Sequence, residues 1–188
     1  MASTRARLLG TILVCCAASA CSGMRPDQHE LIPRWESQAA AWGHPDVRYQ
    51  EIKDPTTAAW LAVFIPGAGG FYTDRPGLGV AGLLTWPISL IWEPTKANAA
   101  AYDYNFWKFR DRMIDLTVLE ADADERTLER QLTSKQILPE VYQVRRDRLR
   151  DCKERLEQIR GLKPAIQEPA AINQCLDEVA ASSSRSPG

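Results

Sequence analysis

Two stretches of this chain carry no charged residue, although charge and apolar positions alternate through most of the remainder. They are Thr56 to Tyr72 (TTAAWLAVFIPGAGGFY) and Gly77 to Trp92 (GLGVAGLLTWPISLIW), separated by a turn-forming Thr73-Asp74-Arg75-Pro76. A segment apolar on every side predicts burial all round, in a protein core or in lipid. As helices the two runs, of 17 and 16 residues, would each reach about 25 Å at about 1.5 Å per residue. A bilayer core of about 30 Å asks for about 20 residues, and Pro66 and Pro87 interrupt both runs. The pattern predicts a short glycine-rich apolar helical hairpin over 56–92, marginal as a transmembrane pair. Gly67, Gly69 and Gly70 of its first arm would pack closely against Gly77, Gly79 and Gly82 of its second. Trp60, Tyr72, Trp86 and Trp92 include several end positions, as an interfacial aromatic belt does.

Downstream the period becomes helical. Ala97, Ala100, Ala101, Tyr104 and Trp107 share one face of an aromatic-rich helix, whereas Met113 to Leu119 leaves helix and strand both open. Asp122 and Glu125 form a candidate capping pair before a short helix over Thr127 to Leu132. Pro139 opens a longer helix at a first helical position, with Val141, Val144, Cys152, Leu156 and Ile159 on its apolar face. Gly161 and Pro164 end it. A last helix, Glu168 to Ala180, carries Ile172, Cys175, Leu176 and Val179 on one side. These two helices predict a C-terminal antiparallel hairpin. Upstream, Pro26, Pro33, Gly43, Pro45 and Pro55 punctuate a lead-in that holds a short helix over Trp35–Trp42 and a half-buried strand over Val47–Ile52. The fold class expected is mostly α with little β.

At the amino end, Arg5 and Arg7 precede an apolar run over Leu8–Ala18, then Ala18-Ser19-Ala20-Cys21. A positive head, a short apolar core and small residues before a cut make a secretory signal. With a cysteine directly after those small residues, the segment resembles the lipobox of bacterial lipoproteins. That resemblance implies cleavage before Cys21, diacylation of its thiol and a tether to the membrane; the plainer expectation is an ordinary signal cut after Ala20. Ser22, with no acid after the cysteine, resembles the sorting pattern of Gram-negative outer-membrane lipoproteins. The chain then divides into a signal peptide (1–20), a lipidated tether and lead-in (21–55), the apolar hairpin with its aromatic helix (56–110), a helical C-terminal region (111–180) and a disordered tail (181–188).

Without Arg5 and Arg7, acids outnumber bases by three, so no basic excess draws in nucleic acid. Of five cysteines, Cys15 and Cys16 fall in the signal and Cys21 at the cut, leaving Cys152 and Cys175. An even pair in an exported chain predicts a disulfide. The two stand equally far from a turn between Lys163 and Pro164, so a hairpin turning there sets them opposite each other, and the bridge would stabilise by about 3 kcal/mol through loop entropy. A redox-active thiol at Cys152, flanked by Arg150 and Lys153, is the functional alternative. With His29 and His44 as the only histidines, no metal site and no cofactor are expected.

The run Pro66-Gly67-Ala68-Gly69-Gly70-Phe71-Tyr72, then Arg75-Pro76-Gly77, resembles the PGxGxFY signature of small bacterial two-transmembrane-hairpin domains. Asp74 stands where that signature usually has glycine, and Trp92-Glu93-Pro94 where its second helix ends in an aromatic and an acid. Residues 127–149 resemble the short C-terminal (SHOCT) domain family, with Ile137, Glu140 and Tyr142 at its turn and helix opening; this implies an interaction or self-association role. Gly77-Leu78-Gly79-Val80-Ala81-Gly82 spells the dinucleotide fingerprint, with Asp103 at about the right distance, but no strand precedes it. No nucleophile elbow, zincin motif or paired carboxylates are present, and Asp111, Asp115, Glu120, Asp122 and Asp124 are spread as a solvated run. The expectation is a non-enzymatic cell-envelope lipoprotein facing the periplasm, outer membrane favoured. It would be held by acylated Cys21 and the 56–92 hairpin, and would scaffold a protein partner or a second copy. The alternative is a lipid-tethered soluble periplasmic module whose 56–92 segment forms an apolar ligand pocket.

Overall fold

The computed structural model describes residues 23–160 and 168–183. Seven α-helices account for most of them: α1 (Pro26–Ala41), α2 (Pro55–Phe64), α3 (Ala68–Tyr72), α4 (Pro76–Leu84), α5 (Glu93–Thr133), α6 (Pro139–Ile159) and α7 (Glu168–Ser183). A 3-10 helix, Ile88–Ile91, lies between α4 and α5. No strand occurs among the described residues, and the protein is mostly α. Contacts divide it into two compact units. One holds the residues up to Glu30 with Tyr49–Lys108, the other Leu31–Arg48 with the residues from Phe109 onward.

In the first unit each charge-free run breaks into shorter helices. Asp54 caps α2, accepting from Thr56 N at 2.9 Å and from the Thr57 hydroxyl at 2.6 Å, with Pro55 in the first turn where no amide partner is needed. Those two hydrogen bonds, the Thr57 one foremost, hold the Asp54 carboxyl below its usual range. Ile65 leaves the helical region and Gly67 turns left-handed (φ 82°), so Pro66-Gly67 ends α2 and starts α3. Pro87 likewise separates α4 from the 3-10 helix. The two expected helical arms, of 17 and 16 residues, are therefore replaced by four short elements.

Asp74, between α3 and α4, has φ 56°, the left-handed region that glycine enters without a Cβ penalty. The aspartate takes up the strain that a glycine there would avoid. Asp74→Gly is expected to raise stability by about 0.5–1 kcal/mol, read as a higher denaturation midpoint in urea with unchanged slope.

The strand expected at Val47–Ile52 is not formed. Its burial alternates as anticipated through Val47–Gln50, but no second strand lies beside it. Just beyond it, side chains hold the backbone at Lys53 and Pro55. The Asn105 amide, fully buried on α5, accepts from Lys53 N and donates to Lys53 O, both at 2.8 Å, and Asn98 donates to Pro55 O at 3.2 Å.

In the second unit, Met113 to Leu119 lies within the uninterrupted helix α5. Met113, Ile114, Thr117 and Ala121 fall at helical spacing on its buried face, and the Thr117 hydroxyl satisfies itself on Met113 O at 2.7 Å. The separate helix expected at Thr127–Leu132 is the end of α5. Asp122 and Glu125 cap nothing; both accept from Lys153 of α6, at 2.9 and 2.8 Å. Trp35 is fully buried, donating from Nε1 to Asn173 at 2.9 Å beside Phe109 (centroids 5.9 Å apart). Pro139 opens α6 as expected, and α6 packs on α7. Helix α7 continues to Ser183; the turn at 161–164 and residues 184–188 lie outside the described residues.

Candidate functional site

The first unit packs mainly small residues inside, Phe106 apart, and turns most of its large apolar residues outside. Its core is Ala58 and Ala62 of α2 with Ala97 and Ala101 of α5, all without exposed surface, and Tyr72 packed against them. Around that core the large apolar side chains point away. Phe64 is 74 % exposed, Leu84 81 % and Ile91 73 %, and Trp60, Ile65, Phe71, Leu83, Trp86 and Ile88 are also exposed. Trp60 and Phe64 stack on one another at 5.6 Å. The second unit is built the ordinary way, with Trp35, Phe109, Met113, Ile114, Leu156 and Ile172 buried. In water the hydrophobic effect drives large apolar groups inward. Helices that meet in lipid instead close on small residues and turn bulky ones outward.

The glycines make this packing possible. A Cβ built on Gly70 would lie 2.7 Å from Gly79 Cα, one on Gly69 2.6 Å from Ala97 Cβ, and one on Gly79 2.8 Å from the Phe71 ring. Gly67 faces Leu83 and the Gly79 backbone, and Gly82 faces the Glu93 carboxyl. Of the six glycines anticipated as packing positions, Gly77 alone faces open space.

Glu93, the first residue of α5, is the residue that sequence reasoning left unweighed. It has no exposed surface, lies against Gly82, and has no cation facing it from the charge-free segments 55–73 and 76–92. Burial pushes its carboxyl above the usual range, while the Gly67 amide and the Ser89 hydroxyl pull weakly the other way. Neither carboxylate oxygen, nor the Ser89 hydroxyl, completes a hydrogen bond. Such surroundings disfavour the charged form relative to the neutral acid.

Comparison with protein-family models, with curated proteins and with solved structures returns no match.

The remaining singled-out residues have structural surroundings. Gly77 to Gly82 lies within helix α4, so the GxGxxG spelling is not a strand-to-helix phosphate loop. Asp103 accepts from Arg75 at 2.9 Å and from Gln28 at 3.1 Å, with Arg25 at 3.5 Å. Asp111 pairs with Arg110, Asp115 with Arg160 and Glu120 with His44. Two cavities in the second unit, one of about 450 Å³ between α6 and α7 and one beside Arg126 and Arg130, include no residue of 56–92 in their walls. Cys152 and Cys175 are buried free thiols on α6 and α7. Cys21 lies outside the described residues. Among those described, no helix is long and apolar enough to cross a membrane.

Proposed function

We propose that this chain is a non-enzymatic cell-envelope lipoprotein that rests on a membrane without crossing it. Cys21 carries the acyl anchor, and the outward apolar side chains of α2, α3, α4 and the 3-10 helix sit in the lipid interface. The helical second unit supplies a surface for a protein partner or a second copy. One observation carries the reading: the helices of 56–92 pack inward on alanine and glycine and turn tryptophan, phenylalanine, leucine and isoleucine outward. The shortness of its helices supports an interfacial seat over a span. Only four residues separate Cys21 from the start of α1, so the lipid and the first unit reach the same bilayer surface. One acyl signal binds reversibly and two contacts hold. The outward direction of the large side chains of 56–92 favours this reading over a soluble module with a pocket there.

The test is fractionation of a Cys21→Ser variant carrying a cleavable secretory signal, with membranes washed in about 1 M salt, where the Debye length is about 3 Å and charge attraction is screened. Retention of most of the protein in the pellet, with release by detergent, is the expected result. Release by salt as a folded protein would show that the apolar face is covered by protein instead.

A further inference from the structure

We infer that the apolar end of the first unit selects loosely packed lipid: it binds strongly curved membrane, where headgroups are splayed, in preference to flat membrane, and without reading surface charge. This selection rests on the lipid seat proposed above and specifies the kind of lipid surface that the seat prefers.

The first unit has two unlike ends. At one of them α2 begins, α3 finishes and α4 begins. There Asp54 N donates to the Tyr72 hydroxyl at 3.1 Å, Asn98 and Asn105 of α5 hold the backbone at Pro55 and Lys53, and Arg75 pairs with Asp103 at 2.9 Å. At the opposite end α2 and α4 finish and α5 begins, with Gly67 against Leu83 and Gly82 against Glu93. Exposed large apolar side chains gather at this second end. They are Phe64 and Ile65 where α2 stops, Leu83 and Leu84 in the last turn of α4, and Ile88 and Ile91 of the 3-10 helix.

No charged residue lies among them, in Pro55–Thr73 or in Pro76–Trp92. Charge resumes at the buried Glu93 and the exposed Lys96, and the three residues between them rise about 5 Å along α5. The exposed lysine keeps the seat shallow, within the about 5–10 Å that interfacial elements reach. An insertion of that depth enters one leaflet alone and needs room between its headgroups.

The polar end offers no basic patch to a negative surface. Its bases Lys53, Arg75 and Lys108 stand among four acids, Glu51, Asp54, Asp74 and Asp103. Arg75 is held on Asp103, Lys53 lies over the Tyr72 and Tyr104 rings at 4.9 and 5.4 Å, and Lys108 lies over Tyr104 at 5.6 Å. Acids offset bases there, so anionic headgroups exert little net pull. Affinity then comes from transfer of the apolar side chains themselves. On flat, tightly packed lipid that transfer must first part the headgroups. On a strongly curved outer leaflet the gaps are already open, and the bulky side chains fill them.

The test uses the full mature chain as Cys21→Ser, so that no acyl group adds a preference of its own. It is floated at one pH with phosphatidylcholine vesicles of about 30 nm or about 200 nm diameter, at equal accessible lipid. About fivefold more protein on the small vesicles is expected, changed less than about twofold when phosphatidylglycerol replaces a fifth of the lipid. The added double substitution Phe64→Ser with Leu84→Ser, at side chains 74 % and 81 % exposed, should keep the helical circular dichroism and lose the binding to small vesicles. Equal binding to both sizes, or binding that appears only with phosphatidylglycerol, overturns the selection and leaves the lipid seat standing. Undiminished binding of the doubly substituted chain overturns the assignment to this end of the unit. Binding to no vesicle of either size or composition overturns the lipid seat itself.

Discussion

Gly70→Val is expected to unfold the apolar unit while leaving the second unit folded. The side chain added at Gly70 would meet backbone: Gly79 Cα at 2.7 Å and Leu78 C at 2.8 Å, atoms of α4 that no rotamer change moves aside. Helix α3 has five residues and its entry is set by left-handed Gly67, so it has little freedom to retreat. Overpacking that side chains can absorb costs about 1–3 kcal/mol; against backbone the effect belongs at or above the upper end, about 3 kcal/mol. Small domains hold only about 5–15 kcal/mol in all. Tryptophan fluorescence in urea reports the loss through Trp60, Trp86, Trp92 and Trp107 of that unit. Gly77→Ala is the control: its Cβ meets nothing within 4 Å, inside helix α4, so it should gain about 0.5–1 kcal/mol of helix propensity. Equal stability of the two variants would mean that α3 and α4 do not touch at Gly70.

The helical class was legible in the periodicity of α6 and α7 and in Pro139 at the start of α6, but on α6 Tyr142 and Leu149 are buried with Cys152 and Leu156, whereas Val141 and Val144 of the expected stripe are exposed. The course of α5 was less legible. Met-Ile-Asp-Leu-Thr-Val-Leu over 113–119 mixes β-branched residues with an alternating look, and intrinsic preference leaves the choice open. Burial of Met113, Ile114, Thr117 and Ala121 on one side decides for helix, and that is a tertiary fact. Over Val47–Ile52 the alternation holds through Gln50 and fails at the exposed Ile52, and a strand needs a partner, which no neighbouring segment among the described residues supplies. In 56–92 the composition announced apolar burial and the glycines announced close packing. Which way each side chain points was hidden, since a run without polar residues has no phase. The left-handed φ of 56° at Asp74 is a further detail of this segment that the hydropathy pattern does not show. Glu93 left a trace, as the acid that ends sixteen uncharged residues, with the exposed Lys96 the nearest base along the chain. Nothing in the sequence says that it turns inward.

That inward turn makes the apolar unit sensitive to pH, and Glu93→Gln is expected to remove the sensitivity. The folded-state pKa of Glu93 is raised above its ordinary 4.5, chiefly by burial. Its contribution to stability is therefore complete below about 4.5 and is lost as pH rises through the folded value, where the folded slot must hold a charge or open. No cation offsets that charge from helices α2 to α4 or from the 3-10 helix. Glutamine keeps the shape of the neutral acid and cannot ionise. At pH 4 the variant should match the parent; at pH 7.5 it should be more stable by about 1–3 kcal/mol, the range for an unsatisfied buried polar group. Urea midpoints at the two pH values read the difference directly. A variant less stable than the parent at pH 7.5 would mean that ionised Glu93 is satisfied in place. The same charge bears on the proposed lipid seat. An ionised carboxylate beneath side chains meant for an apolar medium opposes their transfer there, so binding of the parent to phospholipid vesicles should weaken from pH 4 to 7.5 while binding of Glu93→Gln stays level. Parallel pH profiles for the two proteins would separate the buried acid from the membrane contact and leave it a matter of packing alone.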